Sequence, residues 1–584
     1  MTLLAIIIER WKGSPPAMTE VSRTLNRRSF LITTGLAAGS AAVVPAAIPG
    51  AAPALAAHRG GALLSDPFTL GVASGDPDHE GFVIWTRLAL QPLAEDGLGG
   101  MPGNAFEVAW EVASDERFRR IERRGTALAR PESAHSVHVE LKGLRHGREY
   151  WYRFRVGNHV SPVGRALTAT RPDSLGPDLL MAFVSCSQYE HGLFTAYRRL
   201  AEEHPDLILH LGDYQYEYRA GVYTIPGGNV RDHAGPETVT LATYRQRHAQ
   251  YKSDPDLQAA HQAAPWLVVW DDHETENNWA GDIPEANSDT PDPAAFRERR
   301  AAAFKAYYEN MPLRRGSVPH GPDMQLYRRV RWGRLVNFHM LDTRQYRDDQ
   351  ACGDGYKDCP AAVDPARSIT GEAQEKWLLD GFRRSAARWD ILGQQVFFTQ
   401  RDNNAGPLKV TSMDSWDGYV ASRNRITKGW VDAGVRNAVV LTGDVHAHWA
   451  ADIKADFDDP DSATIGSELV CTSITSGGDG ADSDPATHPF LQINKHLRFH
   501  NNQRGYVISR IGRKEMRSDF KTLPTVRTAD AQATTKATFV IEDRVPGLEQ
   551  TYLRPLPRSA APKAAAKSDE QIIRETIENE TRRP

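Results

Sequence analysis

The sequence predicts a multidomain α+β chain, an N-terminal β-sandwich followed by a larger α/β domain. Residues 66–172 carry short runs of strict period-two alternation broken by glycine-rich turns, the pattern of strands buried on one face. From residue 178 onward, continuous apolar runs alternate with stretches of helical spacing, which indicates an α/β unit. The chain has 584 residues, enough for two or more domains with full cores.

Residues 1–57 stand apart. Asn26-Arg27-Arg28-Ser29-Phe30-Leu31 is followed by a charge-free run of small and apolar residues to Ala57. The arginine pair, the Ala/Gly-rich segment and the small-residue exit at Ala54-Leu55-Ala56 resemble a twin-arginine export signal cleaved close after Ala56. A membrane anchor is the alternative, but Gly35, Gly39, Pro45, Pro49 and Pro53 make a poor spanning helix, so no stable span is expected in the mature chain. Met18 would give a more usual start to such a signal than Met1. The expected partner is the twin-arginine translocation machinery, and the expected location is secreted or periplasmic.

Composition is that of an ordinary globular protein, with 25% charged and 40% hydrophobic residues. Formal net charge is −4; residues 1–57 hold five Lys/Arg and two Asp/Glu, so the mature chain is near −7. That balance carries no nucleic-acid-binding signature. Four cysteines are too few for a disulfide scaffold in an exported chain of this size. Cys352 and Cys359 bracket a polar loop and can close a local disulfide, a metal clip being the weaker alternative; Cys471 reads as a buried strand residue. Cys186 is left unpaired, which calls for a functional account.

In the sandwich region the strands are Gly81–Arg87, Phe106–Val112, Ser136–Leu141 and Tyr150–Val156. Leu144-Arg145-His146-Gly147-Arg148-Glu149-Tyr150, followed by Tyr152 and Phe154, resembles the final hairpin of a fibronectin type III domain. Its aromatic residues are assigned to core packing, and nothing there suggests chemistry. In the second domain, taken as 178–545, the strands are Leu179–Val184, Leu207–Leu211, Pro265–Trp270 and Val435–Leu441, with helical spacing at Phe194, Ala196, Tyr197 and Leu200. Long polar insertions cover 220–262 and 280–330, with a helix around Ala294–Asn310, and 400–430 reads as irregular; loops of that length tend to shape active sites. Core signals fade after Ala537–Ile541. Residues 546–584 read as a Pro/Ala-rich linker and a short capped helix starting at Ser568.

The strand ends carry the chemistry. Leu207–Leu211 runs into Gly212-Asp213-Tyr214-Gln215-Tyr216-Glu217, and a buried strand ending in a carboxylate delivers it to the edge where α/β folds place their sites. Three other apolar runs end in Ser185-Cys186-Ser187, Trp270-Asp271-Asp272-His273-Glu274 and Gly443-Asp444-Val445-His446-Ala447-His448. Cys186 as thiolate and Tyr216 as phenolate suit a strongly Lewis-acidic transition metal. Asp272 and Asp444 are hard oxygen donors suited to Ca²⁺, Mg²⁺ or Mn²⁺, Asp213 can bridge two cations, and His446 adds a nitrogen. Such a pair of cations fits hydrolytic displacement at phosphorus.

The order Ser-Cys-Ser, Gly-Asp-Tyr-x-Tyr-Glu, Trp-Asp-Asp-His-Glu, Gly-Asp-Val-His resembles the PhoD-type alkaline phosphatases, relatives of the purple acid phosphatases. Supporting stretches are Met340–Arg347, Gly393-Gln394-Gln395 and Thr472–Gly480, and the likeness spans roughly residues 25–545. The resemblance implies a metallophosphatase-like domain, a β-sandwich flanked by helices. It implies Fe³⁺ held by Cys186, Asp213, Tyr216 and His446, and Ca²⁺ on the other side of a bridging Asp213 with Asp272 and Asp444. It also implies release of phosphate from monoesters, and often diesters, by attack of a metal-activated hydroxide. On this pattern His273 contacts the phosphate or protonates the leaving oxygen. Asn277, or its neighbour Asn278, offers a carbonyl oxygen to calcium. Arg344 has the fork of a phosphate clamp. His448 falls behind the ligands, and His500 lies in a polar stretch lining the pocket.

The protein is therefore expected to be an exported, monomeric phosphoric ester hydrolase acting on phosphate esters. Two rivals remain: a phosphodiesterase or phospholipase D-like enzyme, and a non-catalytic surface-binding protein that uses the sandwich. No binding module needs the Cys186, Asp213, Tyr216, Asp272, Asp444 and His446 set, which counts against the latter.

Overall fold

The computed structural model describes residues 63–484 and 486–556, so the export-signal stretch and the helix expected from Ser568 lie outside the described residues. Two large sheets dominate. The first has ten strands in the order Glu549–Leu553, Thr534–Glu542, Glu515–Thr522, Gly505–Ile511, Leu179–Val184, Leu207–His210, Trp266–Val268, Val72–Gly75, Val83–Arg87 and Ser136–Glu140. The second has seven, ordered Arg328–Trp332, Val336–Met340, Trp389–Gly393, Ala438–Thr442, Thr464–Val470, His448–Lys454 and Leu497–Asn501. Strands Leu179–Val184, Leu207–His210 and Trp266–Val268 run parallel, as do Val336–Met340, Trp389–Gly393, Ala438–Thr442 and Thr464–Val470.

Period two explains how these sheets are buried on both faces. Ile391, Val439 and Leu441 share one core with Met181, Phe183 and Leu209 of the other sheet, so the two sheets form a sandwich. Their neighbours Leu392 and Val440 point the other way. They pack with Leu378 and Phe382 of the helix Gly371–Arg383 and with Ile426 and Trp430 of the helix Val420–Asp432. On the ten-stranded side, helices Thr195–Glu202 and Pro293–Asn310 contribute Tyr197, Leu200, Phe304 and Tyr307 to the core, with Phe304 stacked 4.1 Å from Trp270. Each such side chain, fully buried, contributes about 1.5–3 kcal/mol. The helix Pro293–Asn310 starts where Asp292 accepts the Ala295 N–H and a proline occupies the first turn, and it stops at Met311 ahead of Pro312.

Three expectations need correction. The stretch 220–262 is not all insertion loop: it holds helices Leu241–Lys252 and Pro255–Ala263. The first shows no apolar stripe because Arg245, Arg247, His248 and Lys252 are themselves buried, Arg245 on Glu309. The irregular stretch 400–430 contains the start of the helix from Val420, and the linker read from 546 contains the edge strand Glu549–Leu553.

The N-terminal region is also less separate than its alternation suggests. Five strands, Ile121–Ala129, Phe106–Ala113, Glu149–Val156, His159–Val160 and Gly164–Leu167, form an outer sheet. The layer facing it consists of Val72–Gly75, Val83–Arg87 and Ser136–Glu140, which continue the ten-stranded sheet. The join is one parallel bridge, Gly75 to Trp266. A Cβ at Gly75 would lie 2.5 Å from Pro312 O and 2.8 Å from Trp266 O, so the close approach requires glycine. Trp85 Nε1 donating to Glu309 O at 2.9 Å, and Arg87 donating to Arg245 O and Asn310 Oδ1, tie this facing layer to the helices Pro293–Asn310 and Leu241–Lys252.

Candidate metal centre

Adjacent strand ends bring the four motifs together. Leu179–Val184 and Leu207–His210 are neighbours in register, Trp266–Val268 lies next, and Ala438–Thr442 ends opposite them in the facing sheet, where Ser185 bridges to Ser473. Cys186 (φ 59°), Asp213 (φ 56°), Asp444 (φ 62°) and His446 (φ 52°) all adopt the left-handed backbone. That region is costly for residues with a Cβ, and its concentration at one edge marks a functional site. Gly212 at φ 111° makes the turn possible: a Cβ there would meet Asp271 Cβ at 2.4 Å and Asp271 N at 2.7 Å. Glu274, buried, then clamps the loops by accepting the N–H groups of Asp213 at 3.1 Å, Tyr214 at 2.6 Å and Asp271 at 2.9 Å. Burial pushes its carboxyl up to about 7 despite these bonds.

The donor atoms of Cys186, Asp213 and His446 lie within 4.8 Å of one another, and so do those of Asp213, Asp272 and His273. Asp213 belongs to both groups. Tyr216 Oη donates to Asp213 Oδ2 at 2.9 Å, lies 3.3 Å from His446 Nε2, and accepts from Ser476 Oγ at 2.7 Å. Burial first, and then the Asp213 charge, push the Cys186 thiol and the Tyr216 phenol well above their usual values. Burying acidic donors this close together raises the cost of every negative charge; a cation offsets it, so the donor set fits a metal.

The second side of the centre is built around Asp272. Its Oδ2 accepts the Asn278 N–H at 2.8 Å. Asn277 Oδ1 is buried with no hydrogen-bond partner, while its Nδ2 donates to Glu285 at 3.0 Å, an orientation that leaves the carbonyl oxygen for a hard cation. Asn278 instead turns its side chain to Asp354 at 2.7 Å. Asp444 lines a cleft of about 240 Å³ with Asn277, Asn278, Tyr356 and Arg401, outside the two tight donor groups. Cys352 and Cys359 are joined, which closes the loop carrying Tyr356; among the described cysteines, Cys186 and Cys471 are free and buried.

His273 is held by Glu217, whose Oε2 lies 2.8 Å from Nδ1, and its ring packs on Tyr216 at 4.1 Å. Its Nε2 is buried with no hydrogen-bond partner. Arg344 departs from the expected phosphate clamp. Its Nε donates to Asp271 at 2.5 Å and its Nη1 and Nη2 to both oxygens of Asp414 at 2.9 Å, all buried, so the fork is already filled by carboxylates. Burial alone would raise Asp414, but Arg344 and Arg347 outweigh it and hold the carboxyl at about 2. His448 is occupied by backbone: Nδ1 accepts from Thr472 N at 3.1 Å and Nε2 lies 3.1 Å from Lys521 O. His500, paired with Ser483 at 3.0 Å, lines a second cleft of about 470 Å³ that also includes His446. Sequence reasoning missed the roles of Glu217, Glu274, Asp414 and Ser476. Glu217 and Glu274 carried a signal by their place inside the motifs, and Ser476 by its place in the Thr472–Gly480 stretch; Asp414 carried none.

Comparisons with known proteins identify the family. Residues 181–520 match the model of a PhoD-like phosphatase, and residues 54–170 that of a PhoD-like phosphatase N-terminal domain. Alkaline phosphatase D of Bacillus subtilis (strain 168) is 47% identical over 551 residues, covering 94% of this chain and 92% of that protein. A solved structure of PhoD superposes with TM-score 0.83 at 47% identity, covering 88% of this chain and 98% of that one. The solved structure of GAP50, the anchor in the inner membrane complex of Plasmodium, reaches TM-score 0.31 at 12% identity over 62% of this chain and 89% of its own, too low to add to the argument.

Proposed function

The chain belongs to the PhoD-like phosphatase family, and on that footing we propose a reading of its centre in which Asp213 joins two unlike cation sites. The protein is an alkaline phosphatase, a phosphoric ester hydrolase. In our reading Cys186, Asp213, Tyr216 and His446 hold a ferric ion. Asp213, Asp272, Asn277 and Asp444 hold calcium. The observation that carries this is the membership of Asp213 in both tight donor groups. When bound, such cations supply positive charge that polarises the phosphoryl oxygens and acidifies a water.

The chain's own residues do the rest. Glu217 fixes the His273 ring so that, with Nδ1–H donated, Nε2 faces the centre. In our reading that nitrogen receives or returns the proton that passes to the leaving oxygen. Glu274 and Arg344 are positioning residues that set the loops bearing Asp213, Asp271 and Asp272. The buried Cys186 and Tyr216 side chains exclude water from the thiolate side of the site. A panel of 4-nitrophenyl phosphate and bis(4-nitrophenyl) phosphate tests the reading: metal-dependent release of nitrophenol from the monoester supports it, and turnover untouched by chelators contradicts it. The diester enters the panel because the cleft at Asp444 and the one at His446 share Val445 on their rims.

The motif at Arg27-Arg28 supports twin-arginine export to the periplasm or medium; no described helix is long and apolar enough to cross a membrane. We also read the N-terminal layers as fibronectin III-like, on the strength of three strands facing the five-stranded outer sheet.

A further inference from the structure

The cleft beyond His446 is lined by Tyr223, Ile225, Gly477, Arg504 and Arg527 as well as His446. It is roomy enough, at about 470 Å³, to take a substantial organic group. Its charges are unbalanced. Arg504 is buried and engaged through both terminal nitrogens, donating to Ser473, Ser476 O and Asn502, with only its Nε left unpartnered. Asp479, the carboxylate in the lining, is turned to Thr525 Oγ1 at 2.9 Å and Val526 N at 2.7 Å. Arg527 forms no ion pair among the described residues.

The position of Arg527 is nonetheless built. Val526 is pinned from both sides, by Asp479 on its N–H and by Leu193 N, which donates to its carbonyl at 2.7 Å. The Arg527 side chain is braced through one nitrogen, Nη2 donating to Pro226 O at 3.0 Å and Gly228 O at 2.8 Å. Nε and Nη1 make no hydrogen bond among the described residues. A half-buried guanidinium held by carbonyls, with donors to spare, is a preorganised anion receptor rather than a structural ion-pair partner. It shares a cleft with His446, a member of the Cys186–Asp213 donor group.

The geometry points to this cleft as the subsite for the organic arm of the ester, with Arg527 selecting arms that carry a second anionic group a few bonds from the phosphate. This rests on the phosphatase centre described above and names the class of substrate that centre prefers. A contact with the organic arm rather than with the reacting phosphoryl group is made equally in ground and transition states, so it acts on KM more than on kcat.

The test compares phosphate release from butyl phosphate and from 4-(phosphonooxy)butanoate, two esters that differ in a terminal carboxylate. In the wild type the carboxylate ester is favoured in kcat/KM by about tenfold, the worth of one charge-assisted hydrogen bond. Arg527→Ala brings the ratio close to one, while Arg527→Lys keeps part of it. The ratio does not depend on how much of a variant is folded. Equal rates for the two esters in the wild type, or an undiminished ratio in Arg527→Ala, overturn the subsite while leaving the phosphatase centre standing. Failure to release phosphate from 4-nitrophenyl phosphate overturns both.

Discussion

Glu217 Oε2 lies 2.8 Å from His273 Nδ1, and its other oxygen accepts the Asn277 N–H at 2.8 Å, so one buried carboxylate orients both a proposed proton carrier and a proposed calcium donor. Glu217→Gln keeps the shape but removes the charge that fixes the His273 tautomer. We expect kcat to fall by about 10–100-fold, the usual cost of losing such an outer partner, with KM little changed. Steady-state kinetics with metal analysis checks this; unaltered kcat would mean that His273 carries no proton.

Gly212 is the residue on which the Asp213 turn depends. Gly212→Ala must both adopt φ 111° and displace Asp271, whose Cβ would stand 2.4 Å away. Strain of that kind costs about 1–3 kcal/mol, and the displaced strand end carries Asp213 with it. Urea unfolding and kcat together test this: a variant of wild-type stability and activity would show that the turn tolerates a side chain.

The sequence made the four strand ends visible because each apolar run stops abruptly at a cluster of donor residues. Their convergence depends on parallel pairing of Leu179–Val184, Leu207–His210 and Trp266–Val268, a topology that alternating runs favour. Alternation says which face is buried but not which strand lies alongside, so the bridge from Gly75 to Trp266 was invisible. The helix Leu241–Lys252 was hidden because its buried residues mix Arg245, Arg247, His248 and Lys252 with Tyr244, Ala249 and Tyr251, so no apolar stripe stands out. Arg344 looked like a phosphate clamp because its partner Asp414 is 70 residues away, in a stretch without pattern. Roles fixed by long-range partners are not written locally.

That Arg344–Asp414 pair yields a pH prediction. The folded Asp414 carboxyl is held at about 2, below about 3.9 for an unfolded aspartate. A depressed carboxyl contributes stability that is present above the unfolded value and is lost as pH falls through the folded one. The contribution is about 2–3 kcal/mol and disappears between about pH 4 and pH 2. Asp414→Asn leaves Arg344 and Arg347 short of a buried counter-charge and costs about 3–5 kcal/mol at neutral pH. Its stability should also fall less steeply with acid over that window. A wild-type acid slope in the variant would assign the loss to other groups.

Tyr216 Oη is placed against Asp213 Oδ2 and His446 Nε2. If it binds iron as a phenolate, the loaded protein is coloured and Tyr216→Phe bleaches it. The visible spectrum, read on protein of measured iron content, decides this. Colour that survives the substitution at equal iron would remove Tyr216 from the ligand set.

The most direct test of the account is metal content in wild type and Asp213→Asn, measured by mass spectrometry on purified protein alongside turnover of 4-nitrophenyl phosphate. Because Asp213 stands in both donor groups, the substitution should lower iron and calcium together and reduce turnover by at least about a thousandfold, on the order of 4 kcal/mol of lost transition-state stabilisation. A variant that keeps both metals and its activity, or an active wild type free of iron, would contradict the shared-aspartate centre.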